Sequence, residues 1–99
     1  MTGEQIYLNY YDTLAKATRL EELAHSLRSN AIMLEENTAS CISTGWEGHT
    51  MNEFAKKNMR YCEKVNAHAH KLEVCAGLLR CAAQEYYRTE MAMLSIIGG

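Results

Sequence analysis

The residues of this chain most able to do chemistry are its four cysteines and four histidines. Thiolates and imidazoles at short spacing hold zinc, and paired thiols form disulfides. The cysteines stand at Cys41, Cys62, Cys75 and Cys81, with no Cys-x-x-Cys pair among them. His68 and His70 are two apart, which on a helix sends them to different sides, while His25 and His49 are isolated and no His-x-x-x-His occurs. Adjacent carboxylates, Glu21-Glu22 and Glu35-Glu36, sit outside the apolar seam and read most simply as a solvated helix face. There is no phosphate-cradling glycine loop and no Gly-x-Ser-x-Gly. These spacings lead to the expectation of no catalytic residue, no metal and no cofactor.

Chemistry gives way to architecture in the apolar pattern. Ile6, Tyr10, Thr13, Ala17, Leu20, Ala24, Leu27, Ala31, Leu34, Thr38 and Cys41 follow one another at alternating steps of three and four. That repeat is the seam of a helix packed lengthwise on another helix. Thr2 and Gln5 fit a reciprocal capping box, and Glu4 suits the first turn, so helix 1 is expected at about 3–41. Ser40, Ser43, Thr44, Gly45 and Gly48 then break the pattern, marking a turn at about 42–48. Thr44…Glu47 and Thr50…Glu53 are both candidate capping boxes for the next helix. The repeat resumes with Met51, Ala55, Asn58, Cys62, Val65, Ala69, Leu72, Ala76, Leu79, Ala83 and Tyr86, placing helix 2 at about 49–94, followed by a short apolar tail from Met91 to Ile97. Gly77 lies inside helix 2, as a close helix approach or a tolerated defect. The chain has no proline and neither half holds a second strong breaker. The expected fold class is therefore all-α, a single antiparallel two-helix hairpin domain over residues 1–99.

A hairpin register excludes intrachain disulfides. With the turn near position 46, Cys41 lies across from about residue 52 and Cys62 from about residue 31, and a rise of ~1.5 Å per residue sets mismatched cysteines far apart. Cys75 and Cys81, six apart on one helix, cannot meet either. The four are read as small core or flanking residues, with an intersubunit bridge left open.

One hairpin buries one seam, and this chain has more to cover. Phe54, Tyr61, Cys75 and Ala82 recur at multiples of seven beside the helix 2 seam, with His68 interrupting them; Tyr7, Leu14, Leu23 and Ile42 flank the helix 1 seam. Leaving such a large apolar side chain wet forgoes roughly 1.5–3 kcal/mol of burial. Pairing two hairpins into a four-helix bundle dimer would cover them. The interface is expected to draw on Phe54, Tyr61, Val65, Leu72 and Leu79 of helix 2 and on Leu20 and Leu27 of helix 1. A short chain of 99 residues that buries little of its own surface makes such pairing reasonable. The net charge of −2 and the scattered basic residues argue against nucleic acid. No apolar run approaches the ~18 residues of a membrane span, and Met1 to Leu8 lack the pattern of a cleaved signal peptide.

Trp46-Glu47-Gly48 sits near mid-chain, an aromatic (Phe54) follows eight residues after the tryptophan, and Tyr86 and Glu90 form a late Tyr-x-x-x-Glu. In length, hairpin layout and motif order the chain resembles the WXG (ESAT-like) family of small proteins exported by type VII secretion systems. The resemblance implies antiparallel dimerisation and export, without a cleaved signal peptide, by a membrane ATPase-driven apparatus. It carries a composite export signal onto Trp46 and Gly48 at the turn and onto Tyr86 and Glu90 near the end of helix 2. Homodimer is the first expectation. The alternatives are a heterodimer with a sister hairpin, an adaptor or export chaperone for the helical N-terminal region of a larger toxin, and a cytoplasmic structural coiled coil with no export role. Four cysteines and the apolar tail depart from the family's usual pattern.

Overall fold

In the computed structural model two helices, α1 (Gly3–Ser43) and α2 (His49–Ile97), pack together as a hairpin; residues 2–43, 45 and 48–97 are described. The four-helix dimer lies beyond what a single chain displays. Both helices start where local chemistry says they should. The Thr2 amide donates to Gln5 Oε1 at 2.9 Å and the Gln5 amide donates to Thr2 Oγ1 at 3.1 Å, the reciprocal box that satisfies two exposed N–H groups of the first turn. Gly48, not Thr50, caps α2, since its carbonyl accepts the first helical bond from the Asn52 amide at 3.1 Å. The alternative Thr44…Glu47 box lies outside the described residues.

The helices run longer than their sequence pattern. α1 continues to Ser43, whose hydroxyl donates to the Ser40 carbonyl at 2.9 Å, because no breaker stands before Gly45. α2 continues to Ile97, so the apolar stretch 91–97 extends the helix instead of leaving it as a tail. Gly45 and Gly48 both adopt positive φ, 91° and 113°, which L side chains resist.

The chain divides into two units of internal contact, one formed by Met1–Glu22 with Leu72–Gly99 and the other by Leu23–Lys71. In the unit that holds the turn, Ala31, Cys62 and Val65 form a buried cluster with Leu27 and Leu34 packed against it. The Cys62 thiol donates to the Ala31 carbonyl at 3.5 Å, and burial, reinforced by the Glu35 charge, pushes the thiol's pKa up. The Asn58 amide donates to Thr38 Oγ1 at 2.9 Å, and Thr38 donates in turn to the Leu34 carbonyl at 2.8 Å, so the polar residues of this seam satisfy one another. In the unit that holds the chain ends, Ile6, Ala17, Ala76 and Ala83 are buried, and a Cβ on Gly3 would meet Leu94 at 3.3 Å. Small residues at alternate seam positions let each helix receive the larger side chains of the other.

Every seam position named from the three–four repeat is buried or half-buried. Of the flanking positions only Leu14 is half-buried, and the others are exposed. Phe54 is 49% exposed and Tyr61 59%, and His68, Cys75 and Ala82 are also exposed. Val65 is buried, while Leu72, Leu79, Leu20 and Leu27 are half-buried within the hairpin's own seam.

Candidate interaction surface

Two features of the chain-end unit surround Tyr86 and Glu90. Tyr86 is half-buried, and its hydroxyl accepts a hydrogen bond from the Asn9 side-chain amide at 3.1 Å, tying α2 to the first turns of α1. Glu90 is half-buried one turn further on, beside Ile6, Met93, Leu94 and Ile97. α2 continues unbroken past both. Trp46 lies outside the described residues. Gly48 is exposed, and its φ of 113° with its capping carbonyl gives the turn a backbone reason to keep glycine at that position.

Beside Tyr86 stands a cluster that the sequence pattern alone did not single out. The rings of Tyr7 and Tyr11 meet at a tilt with centroids 4.6 Å apart, those of Tyr10 and Tyr87 likewise at 4.8 Å, and Tyr7 and Tyr87 meet edge-on at 6.4 Å. The hydrogen bond to Tyr11 pushes the Tyr7 phenol up in pKa, because it favours the neutral form. Tyr7 and Tyr10–Tyr11 are one turn apart on α1, and that spacing was the available signal. Further along this unit, Arg80 reaches across to α1. Its guanidinium forms an ion pair with Glu21 and donates to Thr18 Oγ1 at 3.0 Å. The hydrogen bond from Arg80 holds the Glu21 carboxyl below the usual carboxylate range, and Glu21 raises Arg80 in return. Both partners are substantially exposed, so the pair orients more than it stabilises.

In the turn unit, Ile42, Met59, Ala39 and Ala55 line an open groove of about 280 Å³ with Glu35, Thr38, Asn58 and Cys62. It is shallow and mostly apolar, suited to side chains of a neighbouring helix better than to an enclosed small molecule. Among the described residues no three His, Cys, Asp or Glu side chains gather as a metal site, and no helix is long and apolar enough to cross a membrane. The four cysteines form no disulfide within the chain; Cys62 is buried, Cys41 half-buried, and Cys75 and Cys81 exposed.

Two helices packed lengthwise, with apolar side chains and open grooves along them, define an all-α helical-hairpin protein. A family model described as the PPE family matches residues 11–97, and the chain belongs to that family. This family is associated with type VII secretion and is related to, but distinct from, the WXG family that the Trp46-Glu47-Gly48 turn resembles, so the narrower family expectation is corrected. No curated protein and no solved structure matches the chain.

Proposed function

We propose that this chain is a helix-pairing component of a type VII secretion system, acting by binding another helical hairpin and not by catalysis. The observation that carries the reading is the split between seam and flank. The seam side chains are buried or half-buried inside the hairpin, whereas Phe54, Tyr61, Leu23, Ile42 and Met59 remain about half exposed or more. Membership of the PPE family supports the link to type VII secretion.

In this reading a partner hairpin lies along the exposed ridge, with a second copy as the first candidate and the four-helix bundle as the resulting assembly. Phe54 and Tyr61 contribute directly, and Val65, Leu72, Leu79, Leu20 and Leu27 back them from the seam. The chain leaves the cell through the system's membrane ATPase. The turn residues Trp46 and Gly48 together with Tyr86 and Glu90 form its export signal. The alternative is that Asn58, Thr13, Thr38 and His68 specify a sister hairpin or a toxin's helical region. Asn58 and Thr38 bond to each other and Thr13 donates to the Asn9 carbonyl, whereas His68 is exposed and open to such a partner.

Export of Trp46→Ala and Tyr86→Ala tests the signal. Both variants are expected to accumulate as folded helical protein inside the producing cell and to be lost from the medium. Normal secretion of both folded variants would remove the export assignment.

A further inference from the structure

Along the chain the basic residues look scattered, but wound onto α2 half of them share one face. Lys56, Lys57, Arg60, Lys64 and Lys71 are five of the ten lysines and arginines, and all five are exposed in the unit that holds the turn. Glu53 and Glu63 are the only acids between His49 and Lys71. That stretch therefore carries a balance of +3 in a chain whose net charge is −2, which leaves −5 on the remaining residues.

At about 3.6 residues per turn the five cations fall within an arc of about 100° around α2, on the side away from the seam of Asn58, Cys62, Val65 and Ala69. Lys57, Lys64 and Lys71 recur every seventh residue, a line ~21 Å long. Between Lys56 and Lys71 the same arc holds one other residue, the small Ala67. Glu53 stands at the turn end of the arc and pairs with Lys56 at 3.9 Å. Among the described residues the other four cations have no ion-pair partner. In the chain-end unit, by contrast, Lys16, Arg80 and Arg88 each hold a carboxylate. A face kept only for solubility intersperses the two signs. Here Lys56, Arg60 and Lys64 follow each other at steps of four, where like charges repel and cost the helix stability. An outside anion would relieve that repulsion.

We propose that this basic face of α2 docks on an anionic lipid surface, with the stretch from Lys56 to Lys71 lying along the headgroups. Charge complementarity supplies the attraction, and the make-up of the arc selects the partner. It has no large apolar or aromatic anchor, only Ala67, so it lacks the desolvated centre on which a tight protein contact depends. Four of its five cations are lysines, hydrated point charges on flexible stems that suit a fluid layer of headgroups better than a fixed, bidentate site. A straight row ~21 Å long meets a flat surface along its whole length, whereas a duplex backbone curves away from it. The contact is peripheral, in keeping with a chain in which no described helix is long and apolar enough to cross a membrane. It uses neither Phe54 and Tyr61 nor the export residues, so it goes beyond helix pairing and leaves that ridge open to a partner.

Cosedimentation of the purified full chain with vesicles tests this, with far-UV circular dichroism confirming that each variant is still helical. The chain is expected to bind phosphatidylcholine vesicles that contain about 30% phosphatidylglycerol, to ignore pure phosphatidylcholine, and to be released at about 0.5 M salt. Lys57→Gln combined with Lys64→Gln should weaken binding to the anionic vesicles roughly 25-fold, near fivefold for each charge removed. Lys16→Gln combined with Arg88→Gln removes as much charge from the chain-end unit and should change binding less than about twofold. Four results would overturn the inference: no binding to the anionic vesicles, equal binding to the neutral ones, equal losses in the two double variants, or tighter binding to a short DNA duplex or to polyglutamate than to the anionic vesicles at the same salt. The last would make the partner a nucleic acid or an acidic protein. None of the four bears on helix pairing or on the export of Trp46→Ala and Tyr86→Ala.

Discussion

Gly48 shows how a residue can be read in two ways that separate under experiment. It belongs to the motif that the export reading uses, and it also caps α2 with φ at 113°. Replacing it by alanine places a Cβ in a backbone region that disfavours it, at a cost of about 1–2 kcal/mol. Gly48→Ala is thus expected to lower the urea midpoint of the chain, whatever it does to secretion. The thiols divide as sharply. Cys75 and Cys81 are exposed, whereas Cys62 is buried with its pKa pushed up, so alkylation followed by mass spectrometry should label Cys75 and Cys81 first and Cys62 last. Labelling of Cys62 at the rate of Cys75 would mean that the seam around Ala31 and Val65 opens readily. The Glu21–Arg80 pair adds a pH signature. Glu21 has a depressed pKa when folded, so its contribution to stability is present above the ordinary carboxylate range and is lost as the pH falls through the depressed value. Arg80→Gln should flatten that part of the acid limb in a stability–pH profile, by a small amount because the pair is exposed.

At the scale of the helices, the alternation of large and small seam residues sets how closely the two can pack. Ala69 and Ala76 have no exposed surface and sit opposite α1 with nowhere to send extra atoms. Ala69→Leu is expected to cost about 1–3 kcal/mol through overpacking, read from chemical denaturation. The seam was legible in the sequence because a three–four repeat is a direct consequence of helix geometry, and every residue it named is at least half-buried. The helix ends were less so. The pattern faded at Cys41 and near the apolar residues after Glu90, but a helix stops at a breaker, and none comes before Gly45. The Thr2–Gln5 box could be read in advance because its two residues are three apart, while Gly48 was assigned to the loop because glycine caps through its backbone and leaves no side-chain signal. The contacts between helices were out of reach. That Arg80 would take Glu21, and that Tyr10 would meet Tyr87, depends on the hairpin register to within one residue, which the turn composition alone does not set.

For the whole molecule, the count of apolar side chains left outside decides the argument. The sequence placed the surplus on a stripe beside the seam, at Phe54, Tyr61, Cys75 and Ala82, and these positions are exposed. It overlooked Val74 and Leu78, which are exposed as well, because a stripe search follows one face and Val74–Ala83 is apolar on nearly all of them. Membership of the PPE family gives the molecule its setting in type VII secretion, and the hairpin leaves large apolar side chains exposed. The proposed link between the two is pairing. The most direct measurement of it is the molar mass of the purified chain by light scattering over a range of concentrations. The account predicts a soluble species of twice the 11.2 kDa chain mass that dissociates on dilution. A single well-folded species at the chain mass, soluble and unchanged at the highest concentration, would contradict it.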